Sequence, residues 1–186
     1  MPRVFRKKKT SKETIISAAR SIKLLILDVD GVLTDGSIIL DNLGNELKSF
    51  HVRDGHGIKM LMNAGIRVAI ITGRQSKVVD IRAGELGIRD VFQKCYDKTR
   101  AYRELAHRYS LDDSEIAYVG DDIVDIPLLE KCGLPVAVAD AEEEVKACAL
   151  LTTRRAGGRG AVRELCDLLL HAKALKKDSA SGNAQT

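Results

Sequence analysis

Asp28 closes the apolar run Leu24–Leu27, and Asp30 follows two residues later with Gly31 behind it. Asp121 and Asp122 close Ile116–Val119 after Gly120, with Asp125 near. In a parallel sheet all strand ends lie on one edge, so residues distant in sequence meet in one crevice. Crowded carboxylates repel one another and stay ionised together only around a cation. Oxygen donors with no His or Cys beside them select Mg²⁺ over zinc, and Mg²⁺ favours sites completed by phosphate and water. Two further positions supply what phosphoryl chemistry then lacks. Thr72 and Gly73, after Val68–Ile71, offer a hydroxyl and an amide donor, and Lys98 offers a positive charge at a helix start. Such fixed donors stabilise charge developing on a transferring group.

These residue types suggest a division of labour. Asp28 attacks phosphorus and carries an aspartyl phosphate. Asp30 protonates the leaving alkoxide and later deprotonates water. Mg²⁺ is expected on Asp28, the main-chain oxygen of Asp30, and Asp121, with Asp122 and Asp125 just outside the ligand set and Lys98 neutralising the cluster from the other side. Singly, each residue has an ordinary explanation. A strand-end Asp is a favoured helix cap or turn residue, Thr72-Gly73 is a turn, and Lys98 is a solvated helix start. It is their joint occurrence, each after its own apolar run, that carries the reading.

The elements that would position them follow from hydrophobic periodicity. Continuous apolar runs at 24–27, 68–71, 116–119 and 136–139, with weaker ones at 91–92 and 150–151, suit strands buried on both faces. Helical spacing covers 56–63, 76–86, 99–109, 123–131 and 161–175, with Gly65, Gly87 and Gly133 at expected C-caps. The alternation predicts an α/β, doubly wound parallel sheet of Rossmann-like type. One segment breaks it: 37–40 and 46–50 flank Asp41-Asn42-Leu43-Gly44, which reads as a β-hairpin inserted at the carboxyl edge after the first strand.

The 186 residues suit one domain, expected over 21–175 with the hairpin at 36–50 inside it. A flexible basic extension is expected over 1–20 and a flexible tail over 176–186. The net charge of +4 is uneven. Six of the 30 basic residues lie in 1–12, which leaves 24 basic against 26 acidic residues elsewhere. A near-neutral body with 4% aromatics and no Trp argues against a nucleic-acid-binding protein. Four cysteines without a C-x-x-C pair suit a reducing compartment, and no apolar run approaches a membrane span, so a cytoplasmic location without membrane attachment is expected.

The run D-V-D-G-V-L-T-D-G at 28–36 closely resembles motif I of the haloacid dehalogenase-like phosphatases. I-I-T-G-R at 70–74 resembles motif II, Lys98 motif III, and V-G-D-D-I-V-D at 119–125 motif IV. With F-H-V-R-D-G-H-G at 50–57 and A-G-G-R-G-A-V-R-E at 156–164, the chain resembles the 3-deoxy-D-manno-octulosonate 8-phosphate phosphatases. The resemblance implies a haloacid dehalogenase-like fold with a hairpin in place of a large cap domain. It implies a homotetramer joined by those hairpins, in which a neighbour helps close the site. It also implies Mg²⁺-dependent hydrolysis of a phosphorylated eight-carbon keto-sugar acid on the way to lipopolysaccharide. Carried over by position, His51, Val52, Arg53, Asp54 and Gly55 resemble the substrate loop, and Arg74, Arg82 and Lys98 resemble the residues that meet phosphate and carboxylate. Asp30 and Gly73 join that set. Lys59 stands where some members have Arg, keeping the charge but losing the bidentate fork. Arg159 lies in a Gly-rich segment that resembles the family's closing C-terminal stretch. Arg53, Arg74 and Arg82 also suit, by charge alone, a ligand with a carboxylate at one end and a phosphate at the other.

Two alternatives share these motifs: a phosphatase for a nine-carbon keto-sugar acid phosphate, and a tetramerising domain associated with sugar-nucleotide synthesis. The chain is too short to contain a synthetase, and its D-x-D pair is intact.

Overall fold

The computed structural model describes residues 11–182, and the basic run at 1–10 lies outside them. Six parallel strands form the sheet: β1 (Leu24–Leu27), β4 (Arg67–Ile71), β5 (Asp90–Phe92), β6 (Ile116–Gly120), β7 (Leu134–Ala137) and β8 (Leu151–Thr152). Their order is β5-β4-β1-β6-β7-β8. With the hairpin strands β2 (Ile39–Leu40) and β3 (Glu46–Leu47) set aside, this is the doubly wound order in which the chain turns back beside its first strand. All four residues of β1 are buried, because helices cover both faces of the sheet.

The helices are α1 (Lys12–Ser21), α2 (Val52–Asn63), α3 (Lys77–Leu86), α4 (Lys98–Arg108), α5 (Ile126–Leu129), α6 (Glu143–Cys148) and α7 (Ala161–Gly182). α1 and α2 both pack on α7, while α5 packs against α4 and α6 in the other layer. α7 buries Ala161, Val162, Leu165, Cys166, Leu169 and Ala172 at three- and four-residue spacing, the stripe expected of a helix laid on a core. No helix among the described residues is long and apolar enough to cross a membrane.

Three expectations change here. The stretch 1–20, expected as a flexible extension, contains α1 from Lys12 onward; Ser11 caps it by accepting from the Thr14 N–H, and Ala19 is fully buried. α7 continues to Gly182, past the domain edge expected at 175. The region expected as one helix over 123–131 opens as a short 3₁₀ turn at Ile123–Asp125 before α5, which carries Pro127 in its first turn.

The hairpin forms where its turn chemistry predicts, with only two residues per strand. Asp41 organises the turn: its Oδ1 accepts from the N–H groups of Leu43 and Asn45 at 2.8 Å each. Gly44 adopts φ +81°, which favours glycine.

Candidate active site

β1 pairs with β4 and β6 in registers that set Leu27 beside Ile70 and Val119. The residues just beyond these pairs therefore share one edge: Asp28 after β1, Thr72 after β4, and Asp121 after β6. The sheet alone brings three of the expected motifs together. Lys98 arrives from the N-terminus of α4, with 4% of its side chain exposed.

Lys98 Nζ donates to Asp28 Oδ2 at 2.7 Å and to Asp125 Oδ1 at 2.6 Å, with the Tyr118 hydroxyl 3.4 Å away. Asp28 Oδ1 accepts from the Val29 N–H at 2.7 Å. Asp125, fully buried, takes the Tyr118 hydroxyl at 2.6 Å on Oδ1, and the Asp121 and Asp122 N–H groups at 3.0 and 3.4 Å on Oδ2. Both its oxygens are thus engaged within the chain. Asp122 caps the 3₁₀ turn by accepting from the Ile123 N–H.

Asp28, Asp121 and Asp125 each offer an oxygen within 4.8 Å of the others. Asp121 Oδ1 is buried with no hydrogen-bond partner. Burial, partly offset by Lys98 and reinforced by the like charge of Asp125, pushes Asp28 up to about 6. Burial, with Asp28 and Asp125 adding to it, pushes Asp121 up to about 8. An orphaned carboxylate oxygen amid like charges is what a divalent cation would satisfy, and an all-oxygen donor set suits Mg²⁺. Since Asp125 is saturated, Asp28 and Asp121 are the carboxylates with capacity for an ion. Gly31, at φ +84°, makes room for this arrangement, since a Cβ there would fall 1.9 Å from Asp121 Oδ2.

The raised Asp121 value fixes a pH dependence. A carboxyl group whose pKa is higher folded than unfolded makes the metal-free protein lose stability as pH rises from about 3.8 to about 8. In chelator, Asp121→Asn is expected to melt above wild type at pH 8 and close to it at pH 5. Mg²⁺ is expected to raise the wild-type melting temperature more at pH 8 than at pH 5. Thermal melts that coincide at pH 8 would show that Asp121 carries no such burden.

Asp30 has partners of its own. Its Oδ1 accepts from Lys48 Nζ, and its Oδ2 lies 3.9 Å from Arg74 Nε. Lys48 also lies 3.3 Å from Glu46 Oε1, which accepts from Arg74 Nη2 at 2.8 Å. Lys48 and Glu46, both on the hairpin, were not among the sequence candidates. Nothing local marks Lys48, whose partner stands 18 positions earlier.

The stretch 51–55, expected as a substrate loop, is the start of α2, with His51 as its N-cap. Asp54 is buried and accepts from the N–H groups of Gly160 and Arg163 at 3.3 and 2.7 Å, so it caps the N-terminus of α7. A Cβ on Gly55 would meet Arg82 Nη2 at 2.3 Å, so that glycine admits a guanidinium. His51 Nδ1 is buried without a partner, whereas Val52, Arg53 and Lys59 are exposed on α2. Arg82 lies over the Phe50 ring at 5.8 Å and pairs with Glu85 at 3.0 Å. Arg159 pairs with Asp35 at 3.1 Å. Its segment seals the first loop: a Cβ on Gly157 would strike Gly31 O at 1.7 Å, and Gly158 donates to Val32 O at 2.9 Å.

A haloacid dehalogenase-like hydrolase family model matches residues 76–165. The chain is 51% identical over 170 residues, 91% of its length and 90% of the relative's, to the 3-deoxy-D-manno-octulosonate 8-phosphate phosphatase KdsC of Escherichia coli (strain K12). Its structure is similar to the 3-deoxy-D-manno-octulosonate 8-phosphate phosphatase of Yersinia pestis, at TM-score 0.86 and 49% identity over 87% of this chain and 88% of that one. It is also similar to the Moraxella catarrhalis enzyme of that name, in complex with magnesium ion, phosphate ion and KDO, at TM-score 0.87 and 40% identity over 94% of this chain and 100% of that one.

Proposed function

Because the chain belongs to the haloacid dehalogenase-like hydrolases and, within them, to the 3-deoxy-D-manno-octulosonate 8-phosphate phosphatases, we propose that it hydrolyses 3-deoxy-D-manno-octulosonate 8-phosphate to the free sugar acid and phosphate, in lipopolysaccharide biosynthesis. The observation that carries this reading is the Asp28 carboxylate held by Lys98 beside the partnerless oxygen of Asp121.

Asp28 attacks phosphorus: an Asp28 oxygen–phosphorus bond forms as the ester oxygen–phosphorus bond breaks, and Asp30 gives its proton to the departing alkoxide. Water then gives Asp30 a proton while its oxygen bonds phosphorus and the Asp28 linkage breaks. Thr72 and the Gly73 amide hold phosphoryl oxygens. Lys98 keeps Asp28 oriented and offsets charge that builds during attack. Mg²⁺ at Asp28 and Asp121 would supply the positive charge that lets an anionic nucleophile approach an anionic phosphate. Arg74, exposed beside Asp30, would meet the sugar acid's carboxylate.

Phosphate release from a panel of sugar phosphates, with Mg²⁺ and with chelator, tests this. The eight-carbon keto-sugar acid ester is expected to have the highest kcat/KM, with turnover lost in chelator. Faster hydrolysis of a nine-carbon ester would reassign the substrate, and equal turnover in chelator would remove the metal from the chemistry.

The same reading extends to assembly. Ile38, Ile39, Leu40, Leu43 and Leu47 are exposed on the hairpin, Leu43 at 87%. Apolar side chains gathered on one projecting element mark a protein interface, and this supports a homotetramer joined through the hairpins. The chain is expected to elute near four times 20.3 kDa, and a fully active monomer would contradict that assembly. The four cysteines are free, which supports a cytoplasmic location.

A further inference from the structure

Lys48 buries its side chain to 2% exposure although it sits at the end of a mostly exposed hairpin. Taking an ammonium out of water is costly unless partners replace the hydration. Those partners close a ring of alternating charge: Lys48 to Asp30 Oδ1, Lys48 to Glu46, Glu46 to Arg74, and Arg74 back toward Asp30 Oδ2. A hairpin needs no such ring to be tethered, since an exposed ion pair at its rim would serve. What the ring does is grip one oxygen of Asp30 from a direction that neither the sheet nor the strand-end acids supply.

We infer that Lys48 is a positioning residue for the proton-transferring carboxylate of Asp30. By holding Oδ1, it fixes the side-chain torsions and leaves Oδ2, 3.9 Å from Arg74 Nε, as the oxygen free to exchange a proton. Glu46 completes the device by holding Lys48 and Arg74 at one oxygen. The hairpin is then part of the catalytic geometry as well as a projecting surface. Proton transfer in both half-reactions depends on one lysine that no strand-end motif contains. This inference rests on the phosphatase reading above.

A leaving group that needs no proton separates the two half-reactions. With p-nitrophenyl phosphate, p-nitrophenolate departs unprotonated as the Asp28–phosphorus bond forms, whereas the later attack of water still needs Asp30 to take a proton. On 3-deoxy-D-manno-octulosonate 8-phosphate, Lys48→Met is expected to lower kcat about 30- to 100-fold, the scale of a misplaced proton-transfer group. KM should stay within about threefold. On p-nitrophenyl phosphate the same variant is expected to give a rapid burst approaching one p-nitrophenolate per chain, followed by slow turnover. Lys48→Arg, which keeps a cationic donor, should restore most of kcat. If Lys48→Met changes the elution volume, Lys48→Gln, with a polar head on a shorter stem, is read by the same criteria.

An active wild type whose Lys48→Met variant keeps kcat within twofold overturns this inference alone. So does a loss that raises KM in proportion and shows no burst, since that is the signature of a collapsed site. A wild-type chain that releases no phosphate from either ester overturns the functional reading and this inference with it.

Discussion

Asp28→Asn is expected to abolish turnover, lowering kcat at least on the order of 10⁴-fold, as losing an attacking group does in other covalent mechanisms. The amide keeps an oxygen that can accept the Val29 N–H, the bond Asp28 makes at 2.7 Å, but it is no nucleophile. The fold should persist for an electrostatic reason. Asp28 and Asp125 are among the charges that push Asp121 up to about 8, so removing one carboxylate relieves crowding while Lys98 keeps Asp125 as partner at 2.6 Å. The melting temperature in chelator should therefore lie near wild type. Steady-state phosphate release and single-turnover trapping of the phosphoenzyme check this. Turnover near wild type, with an intact melt, would mean that another group attacks phosphorus.

Lys98→Met is expected to cost both activity and stability. Lys98 is the one cation within hydrogen-bonding reach of both Asp28 and Asp125 among the described contacts, and the two acids are almost wholly buried. Breaking a buried ion pair from one side leaves charge uncompensated, typically at about 3–5 kcal/mol. Asp28 already lies raised and can take up a proton, so a loss of about 3 kcal/mol is the better expectation. In a protein of this size that lowers the melting temperature by roughly 6–12 °C. Turnover should fall about 10³-fold, the scale of losing one fixed donor at a site of developing charge. The stability loss should be larger at pH 8 than at pH 5, because low pH supplies the proton that replaces the ammonium. A melt within about 2 °C of wild type at pH 8 would mean that the acids are screened by something other than Lys98.

The sequence made the sheet legible because both-face burial leaves unbroken apolar runs. β1 appears at the boundaries its apolar run predicts, and β4, β6 and β7 within two residues of them. Their terminal acids followed, since pairing with β1 brings the ends of β4 and β6 beside Asp28. What stayed hidden depends on partners far along the chain. The first turn of α2 reads as a loop because Gly55 and Gly57 lower helix propensity. Those glycines are there because Arg82 and α7 occupy the space a Cβ would need. Asp54 reads as a ligand-facing acid, yet it caps a helix 106 positions onward. α1 hides behind a basic run, and its burial shows only once α7 is in place. Lys48 is one lysine among many until Asp30 is seen beside it.

The Gly157–Gly158 segment presses on the first loop, and Asp54 grips the start of α7. The loop that carries Asp30 and Gly31 is therefore braced by residues made long after it. Chains emerge at about 5–20 residues per second and tend to fold from their N-terminal parts first. A nascent chain on the ribosome can pair its early strands well before this late brace exists. Until that brace is made, the loop that carries Asp30 can stand beside paired strands without the backbone that supports it.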